Sequence, residues 1–186
     1  EYWDLQKINE KKITYLEAKR QLHDLLIDAV KIRLNSDVAI GSFLSGGIDS
    51  ALVSSIAAKI SKNKIKTFCI GFEDPKYDER KTARNFANII ASNHLETICT
   101  PEQLIELIPK LIEVVDEPFA DSSALPSLLL NKVTKKNITV AISGDGGDES
   151  FLGYNHFRWV EISNIVFKVP HVIRRLVSQF IFPIPK

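Results

Sequence analysis

The chain has 186 residues, 45% of them apolar and 25% charged, with a net charge of +1. That length suits one domain with flanking pieces, and the balance supports an ordinary core that needs no disulfide or structural metal. Near-neutral charge excludes a global field for nucleic acid or an anionic membrane surface, and no apolar run is long enough to span a bilayer, so neither partner is expected.

Glu1-Tyr2-Trp3-Asp4 opens a polar stretch instead of a signal peptide, and the chain contains no methionine; a piece excised from a longer, cytoplasmic protein is expected. Residues 1–13 read as a linker, and 14–186 as the domain proper. From Thr14 to Asn35, Leu16, Leu22, Leu25, Leu26, Ala29, Val30 and Leu34 recur at helical spacing, with Thr14 and Glu17 set for a capping box. Val38–Leu44 is a buried-strand pattern, Ser45-Gly46-Gly47-Ile48 a turn, and Leu52, Val53, Ile56, Ala57 and Ile60 one face of a helix. Lys66–Phe72 reads as a second strand, followed by a polar loop with Pro75 and a helix from Asp78, its cap, to about Ser92. Leu95–Cys99 makes a third strand; Glu102–Val115 is helical in period, with Pro101 suited to its first turn. Pro118 and Pro126 bracket a loop, and a further helix reaches about Lys135. Thr139–Ile142 is a fourth strand, and Ser143–Glu149 a second glycine-rich turn. Beyond Asn155, Phe157, Trp159, Val160, Ile162 and Phe167 begin a dense apolar set continued by Val172, Ile173, Leu176 and Val177; helices broken at Pro170, packing on further chain, are expected.

Strand, turn and helix in repetition predict an α/β fold, a parallel sheet with helices on both faces. Ligands of such sheets bind beyond the carboxyl ends of the strands. Both glycine-rich turns directly follow strands, so both are predicted to sit on that one rim.

In Ser45-Gly46-Gly47-Ile48-Asp49-Ser50 two glycines allow a sharp turn and close approach to an anion, and the following helix aims its free N–H groups at the same place. Asp49 is at odds with an anionic ligand unless a divalent cation lies between them. The bland reading is a helix cap after a tight turn. Ser143-Gly144-Asp145-Gly146-Gly147-Asp148-Glu149 crowds three glycines and three carboxylates into seven residues. Such density calls for a cation or a shared proton, and Mg²⁺ on nucleotide phosphates would supply one.

The first hexad resembles the pyrophosphate loop of the ATP pyrophosphatase superfamily. The second motif, with Phe151 and Gly153-Tyr154 after it, resembles the second signature of glutamine-dependent asparagine synthetases. Asp116-Glu117-Pro118-Phe119-Ala120-Asp121 with Ser123-Ala124 and Pro126, Thr67–Phe72, and Tyr2-Trp3-Asp4 are also similar to that family. The resemblance spans residues 2–160. It implies ATP contacts at Leu44, Ser45, Gly46, Gly47, Asp49, Ser50, Ser143 and Gly144, and adenine at the backbone of Ile70 beside Gly71. It also implies Mg²⁺ and pyrophosphate at Asp49 and Asp148, and a role in adenylate formation for Asp145. The implied activity is amide formation: aspartate is activated as its acyl-adenylate and passed to ammonia. The implied partners are ATP, aspartate or a related carboxylate, ammonia drawn from glutamine, and a glutaminase domain preceding this segment. A homodimer is left open.

Three departures stand out: Asp145 where glutamate is frequent, Leu152 where glycine is usual, and Ser122 where proline is often found. The family's cysteine nucleophile and a basic residue further along lie outside the segment, so weak ATP binding with little turnover is expected of it. Other readings stay open: an amidotransferase for another carboxylate, or a nucleotide-binding module without catalysis. Cys69 and Cys99 read as small buried thiols. His23, His94, His156 and His171 show no metal-ligand spacing, though His156 and Arg158 lie close to the second motif. Lys81 and Arg84 read as solvated.

Overall fold

A computed structural model describes residues 12–117, 119–171 and 174. Its elements, in order, are α1 (Tyr15–Leu34), β1 (Ile40–Phe43), α2 (Ile48–Ile60), β2 (Lys66–Phe72), α3 (Arg80–Ile89) and β3 (Asn93–Cys99). There follow α4 (Pro101–Val114), α5 (Ala124–Thr134), β4 (Val140–Ile142), α6 (Gly147–Phe151) and α7 (Asn155–Lys168). The chain divides into two compact units, residues 1–144 and 145–186.

The first unit holds a four-stranded, all-parallel sheet in the order β3-β2-β1-β4. Its central strand β1 and most of β2 carry apolar or small residues toward both faces, as a sheet covered on both sides requires. On one face Cys69 of β2 packs with Leu44, Ala51 of α2, and Ala83 and Ala87 of α3. On the other, its neighbour Ile70, together with Phe72, packs with Leu107 of α4 and Leu129 of α5. α1 adds an outer layer, where Val30 meets Ile56 and Ala57 of α2 near Ile65 and Ile142. The predicted parallel sheet with helices on both faces is therefore what this sequence builds.

Local signals explain most element ends. The Thr14 hydroxyl accepts the Glu17 N–H at 3.3 Å, but the Glu17 carboxylate turns to Arg20 and Gln21, so half of the expected box forms. The complete box is at α4, where Thr100 and Gln103 satisfy each other's N–H groups and Pro101 occupies the first turn. α3 stops at Ile89, before the expected Ser92, because Ala91 takes a left-handed φ of 52°. The second glycine-rich turn is shorter than predicted, since α6 begins at Gly147. α7 ends at Lys168, ahead of Pro170 as the proline demands. Residues 1–11 of the expected 1–13 linker, Pro118, and the apolar set at 172–173 and 175–186 lie outside the described residues. Among the described residues no helix is long and apolar enough to cross a membrane.

Candidate functional site

Strand order alone singles out one place on the rim. The chain leaves β1 for β2 on one side, while β4 adds on the other, so β1 and β4 flank the point where the order reverses. Open α/β sheets bind ligands at such a point, outside the carboxyl ends. In register, Ser42 of β1 lies beside Ile142 of β4. The Ser45 and Ser143 turns therefore leave neighbouring strands at one level. Beneath them the buried Ser42 hydroxyl shares a hydrogen bond with Ser54 of α2 at 2.8 Å and donates to the Ile142 carbonyl at 3.3 Å. Strand, helix and neighbouring strand are tied together under the turns.

The turns touch. A side chain on Gly144 would lie 2.6 Å from the Ser50 nitrogen and 2.9 Å from Asp49 Cβ. Only glycine admits the first turn of α2 at that distance. Leu44, Ser45, Gly46, Gly47, Asp49, Ser50, Ser143 and Gly144 thus gather in one unit around one rim.

Within the first turn the amides are largely spoken for. The Ser45 N–H donates to Ser50 Oγ at 3.1 Å, the Gly47 N–H to Ser45 Oγ at 3.1 Å, and the Gly46 N–H to the Glu79 carboxylate at 2.9 Å. The two serine hydroxyls are 2.8 Å apart. By contrast, Gly47, the N-cap of α2, offers no side chain to the helix's first turn. The orphan N–H groups and positive dipole end of this 13-residue helix point at the rim. With the amides of residues 45–47 paired in this way, the donors facing the rim are those at the start of α2.

Ile70 and Gly71 lie at the carboxyl end of β2. Leu44 makes the last bond on the β1 side, its N–H donating to the Phe68 carbonyl at 2.8 Å. Ile70, two residues on, faces the same way beyond the end of β1. Gly71 is covered by the Arg80 side chain, which would collide with any Cβ there. Asp78 fixes that arginine through two bonds of 2.8 and 2.7 Å, and the guanidinium holds the Asp78 carboxyl down to about 2.

In the second unit Gly146 adopts a φ of 87° and starts the short helix that carries Asp148 and Glu149. The Tyr154 hydroxyl donates to Glu149 at 2.8 Å and lowers its pKa. His156 stacks on Tyr154 at 5.0 Å and lies 4.5 Å from Phe157. Asp145 follows Gly144 directly and opens this unit.

Sequence reading missed Glu79 and Arg80; the only local signal was an Asp-Glu-Arg run at a helix start. Arg84 is exposed, as expected, but forks onto Glu96 at 2.8 and 2.6 Å. Both cysteines are buried, and burial pushes the Cys69 thiol up to about 12. A cavity of about 660 Å³ is lined by the segments leading into β1 and β2, including Asn35, Val38, Ser61 and Asn63, and contains none of the motif residues.

The asparagine synthase family matches residues 21–181. The chain belongs to that family. It is 38% identical over 154 residues to glutamine-hydrolyzing asparagine synthetase 1 of Bacillus subtilis, covering 82% of this chain and 24% of that protein. It is also 38% identical over 183 residues to putative glutamine-hydrolyzing asparagine synthetase 2 of Methanocaldococcus jannaschii, covering 96% of this chain and 34% of that one. The chain thus spans a quarter to a third of the length of these relatives. Its fold matches that of NMN synthetase from Francisella tularensis, with a TM-score of 0.50 at 18% identity over 77% of this chain and 59% of the other.

Proposed function

We propose that this chain is the ATP-using part of an amide-forming ligase, which activates the side-chain carboxylate of aspartate as an acyl-adenylate and passes it to ammonia. The observation that carries this reading is the contact of Gly144 with the start of α2, which joins both glycine-rich turns at the reversal point of the sheet. Family membership adds the direction of the chemistry.

A carboxylate is a poor electrophile at neutral pH. Its oxygen attacks the α-phosphorus of ATP, and the bond to pyrophosphate breaks. The acyl-adenylate so formed is attacked at its carbonyl by ammonia, and AMP departs. In this chain the α2 first turn, with Ser45 and Ser50 behind it, holds the departing pyrophosphate, since fixed N–H dipoles stabilise developing charge without reorganising. The backbone of Ile70 borders the adenine. The role of Asp145 in adenylate formation, and of Asp148 at the pyrophosphate, rest on the family resemblance.

Mg²⁺ on a nucleotide is held by one or two carboxylates, with phosphates completing its shell; Asp49, at the rim, is such a carboxylate. Bound there, the ion would neutralise charge on the phosphates.

Calorimetric titration with ATP and Mg²⁺ tests the reading. Saturable binding is expected, lost or weakened at least about tenfold in Asp49→Asn, as the loss of one charged partner implies. ATP–pyrophosphate exchange across several carboxylates then identifies the acceptor. A folded chain that binds no ATP sinks the reading.

A further inference from the structure

Glu79 is the N-cap residue of α3, yet its carboxylate caps nothing in its own helix. The start of α3 is served by Asp78 instead, which accepts the Arg80 N–H at 3.3 Å and grips the Arg80 guanidinium. Glu79 is therefore free to reach 33 residues back in the sequence and accept the Gly46 N–H at 2.9 Å. The contact is packed as well as bonded: a side chain on Gly46 would meet Glu79 Cβ at 3.1 Å and Thr82 Cβ at 3.3 Å.

The bond matters because of what its neighbours do. The Ser45 and Gly47 amides find acceptors inside their own turn. Gly46 alone of these three takes its acceptor from another element. A glycine peptide with no such partner rotates easily. A bond to a carboxylate is stronger than one to a neutral acceptor, and here it sets the plane of the peptide at the apex of the turn. That peptide leads directly into the first turn of α2, which begins at Ile48.

We propose that Glu79 is a positioning residue for the nucleotide loop: it pulls the Gly46 N–H toward α3 and so leaves the start of α2 as the donor surface for phosphate. The role at phosphate rests on the nucleotide reading above; the positioning of the turn does not.

Two variants of the chain, Glu79→Ala and Glu79→Gln, are compared by hydrogen–deuterium exchange and by calorimetry with ATP and Mg²⁺. In Glu79→Ala, exchange across residues 45–50 rises about tenfold, as loss of one charge-assisted bond predicts, while β2 and β3 keep their protection. ATP affinity falls by a similar factor. Glu79→Gln keeps an oxygen in place and stays within about threefold of wild type in both measurements, since a neutral acceptor retains much of the bond. Unchanged exchange in the turn of Glu79→Ala overturns the proposal, whatever ATP does. A rise spread through β2 and β3 overturns it too, because Glu79 would then be a prop of the whole fold. Failure of Glu79→Gln to rescue overturns it as well. A local rise corrected by glutamine, in a chain that binds no ATP, supports the positioning and removes the nucleotide reading instead.

Discussion

The two glycine-rich turns use glycine for opposite reasons. In the turn after β1 neither glycine needs a positive φ; among the described glycines only Gly146 adopts one. The geometry of that first turn is held by serine hydroxyls and by Glu79. In the turn after β4, Gly144 is required by close approach, with backbone atoms of Asp49 and Ser50 at 2.8 and 2.6 Å from a would-be Cβ. Gly146 is required by conformation, with a φ of 87° and nothing within 4 Å. One turn is built by hydrogen bonds, the other by the absence of side chains. Similar residue strings can therefore fail in different ways when altered.

The largest effect is expected from Gly144→Ala. The clash is with backbone, which cannot swing aside as a flexible side chain would, so overpacking should cost about 2–3 kcal/mol. Urea unfolding should show that loss, and ATP binding should vanish with the contact. An alanine variant of wild-type stability that still binds ATP would mean the turns need not meet. Gly146→Ala comes next. It adds no clash but forces alanine into left-handed space, at about 1–2 kcal/mol. Gly146→Asn should recover part of that, because asparagine tolerates this region better. If both Gly146 variants cost as much as Gly144→Ala, the contrast between conformation and contact fails.

Much of this contrast could be read from the sequence, but not its mechanism. β2 was legible over Lys66–Phe72 because Thr67, Phe68, Cys69, Ile70 and Phe72 are apolar or β-branched. β3 begins two residues before its apolar run. Asn93 and His94 are polar, and they join because Lys66 and Thr67 lie opposite and Thr67 Oγ1 is 2.9 Å from His94 Nδ1. No local period encodes such a partner. The departure of the Ser45 and Ser143 turns from neighbouring strands at one rim follows from strand–turn–helix order and was legible. The bond from Glu79 to Gly46 was not, because it joins a helix start to a turn through tertiary folding alone. The polar ends of strands and the acceptors of single amides are set by the neighbours that the fold supplies.

The region beside the first turn offers a gentler test through pH. Asp78 is held at about 2 by the Arg80 guanidinium, with the Arg80 and Phe72 N–H groups helping. An unfolded aspartate titrates near 3.9. A depressed folded pKa contributes stability that is present above about pH 4 and is lost as pH falls through about 2. The stability difference between wild type and Asp78→Asn should therefore be steady near neutrality and shrink between pH 4 and 2. Both partners are partly exposed, so added salt should reduce it. A difference that stays constant across that window would mean the pair contributes packing over Gly71 and no charge term.

The smallest effect should come from Leu152, and it has the opposite sign. Leu152 closes α6 at φ 60° and ψ 38°, a left-handed conformation that glycine adopts without cost. The resembled family usually places glycine there, and this chain carries a branched side chain instead. Left-handed backbone costs an L-residue about 1–2 kcal/mol, while glycine gives back roughly 0.5–1 kcal/mol through its greater freedom when unfolded. The net gain for Leu152→Gly is then below about 1 kcal/mol. Leu152 is exposed, so little packing is lost in exchange. Exchange protection across residues 147–153 should rise slightly, with no change in the sheet of the first unit. A loss of protection there would mean that the Leu152 side chain holds the end of α6 by contact, and that the second turn, like the first, relies on side chains.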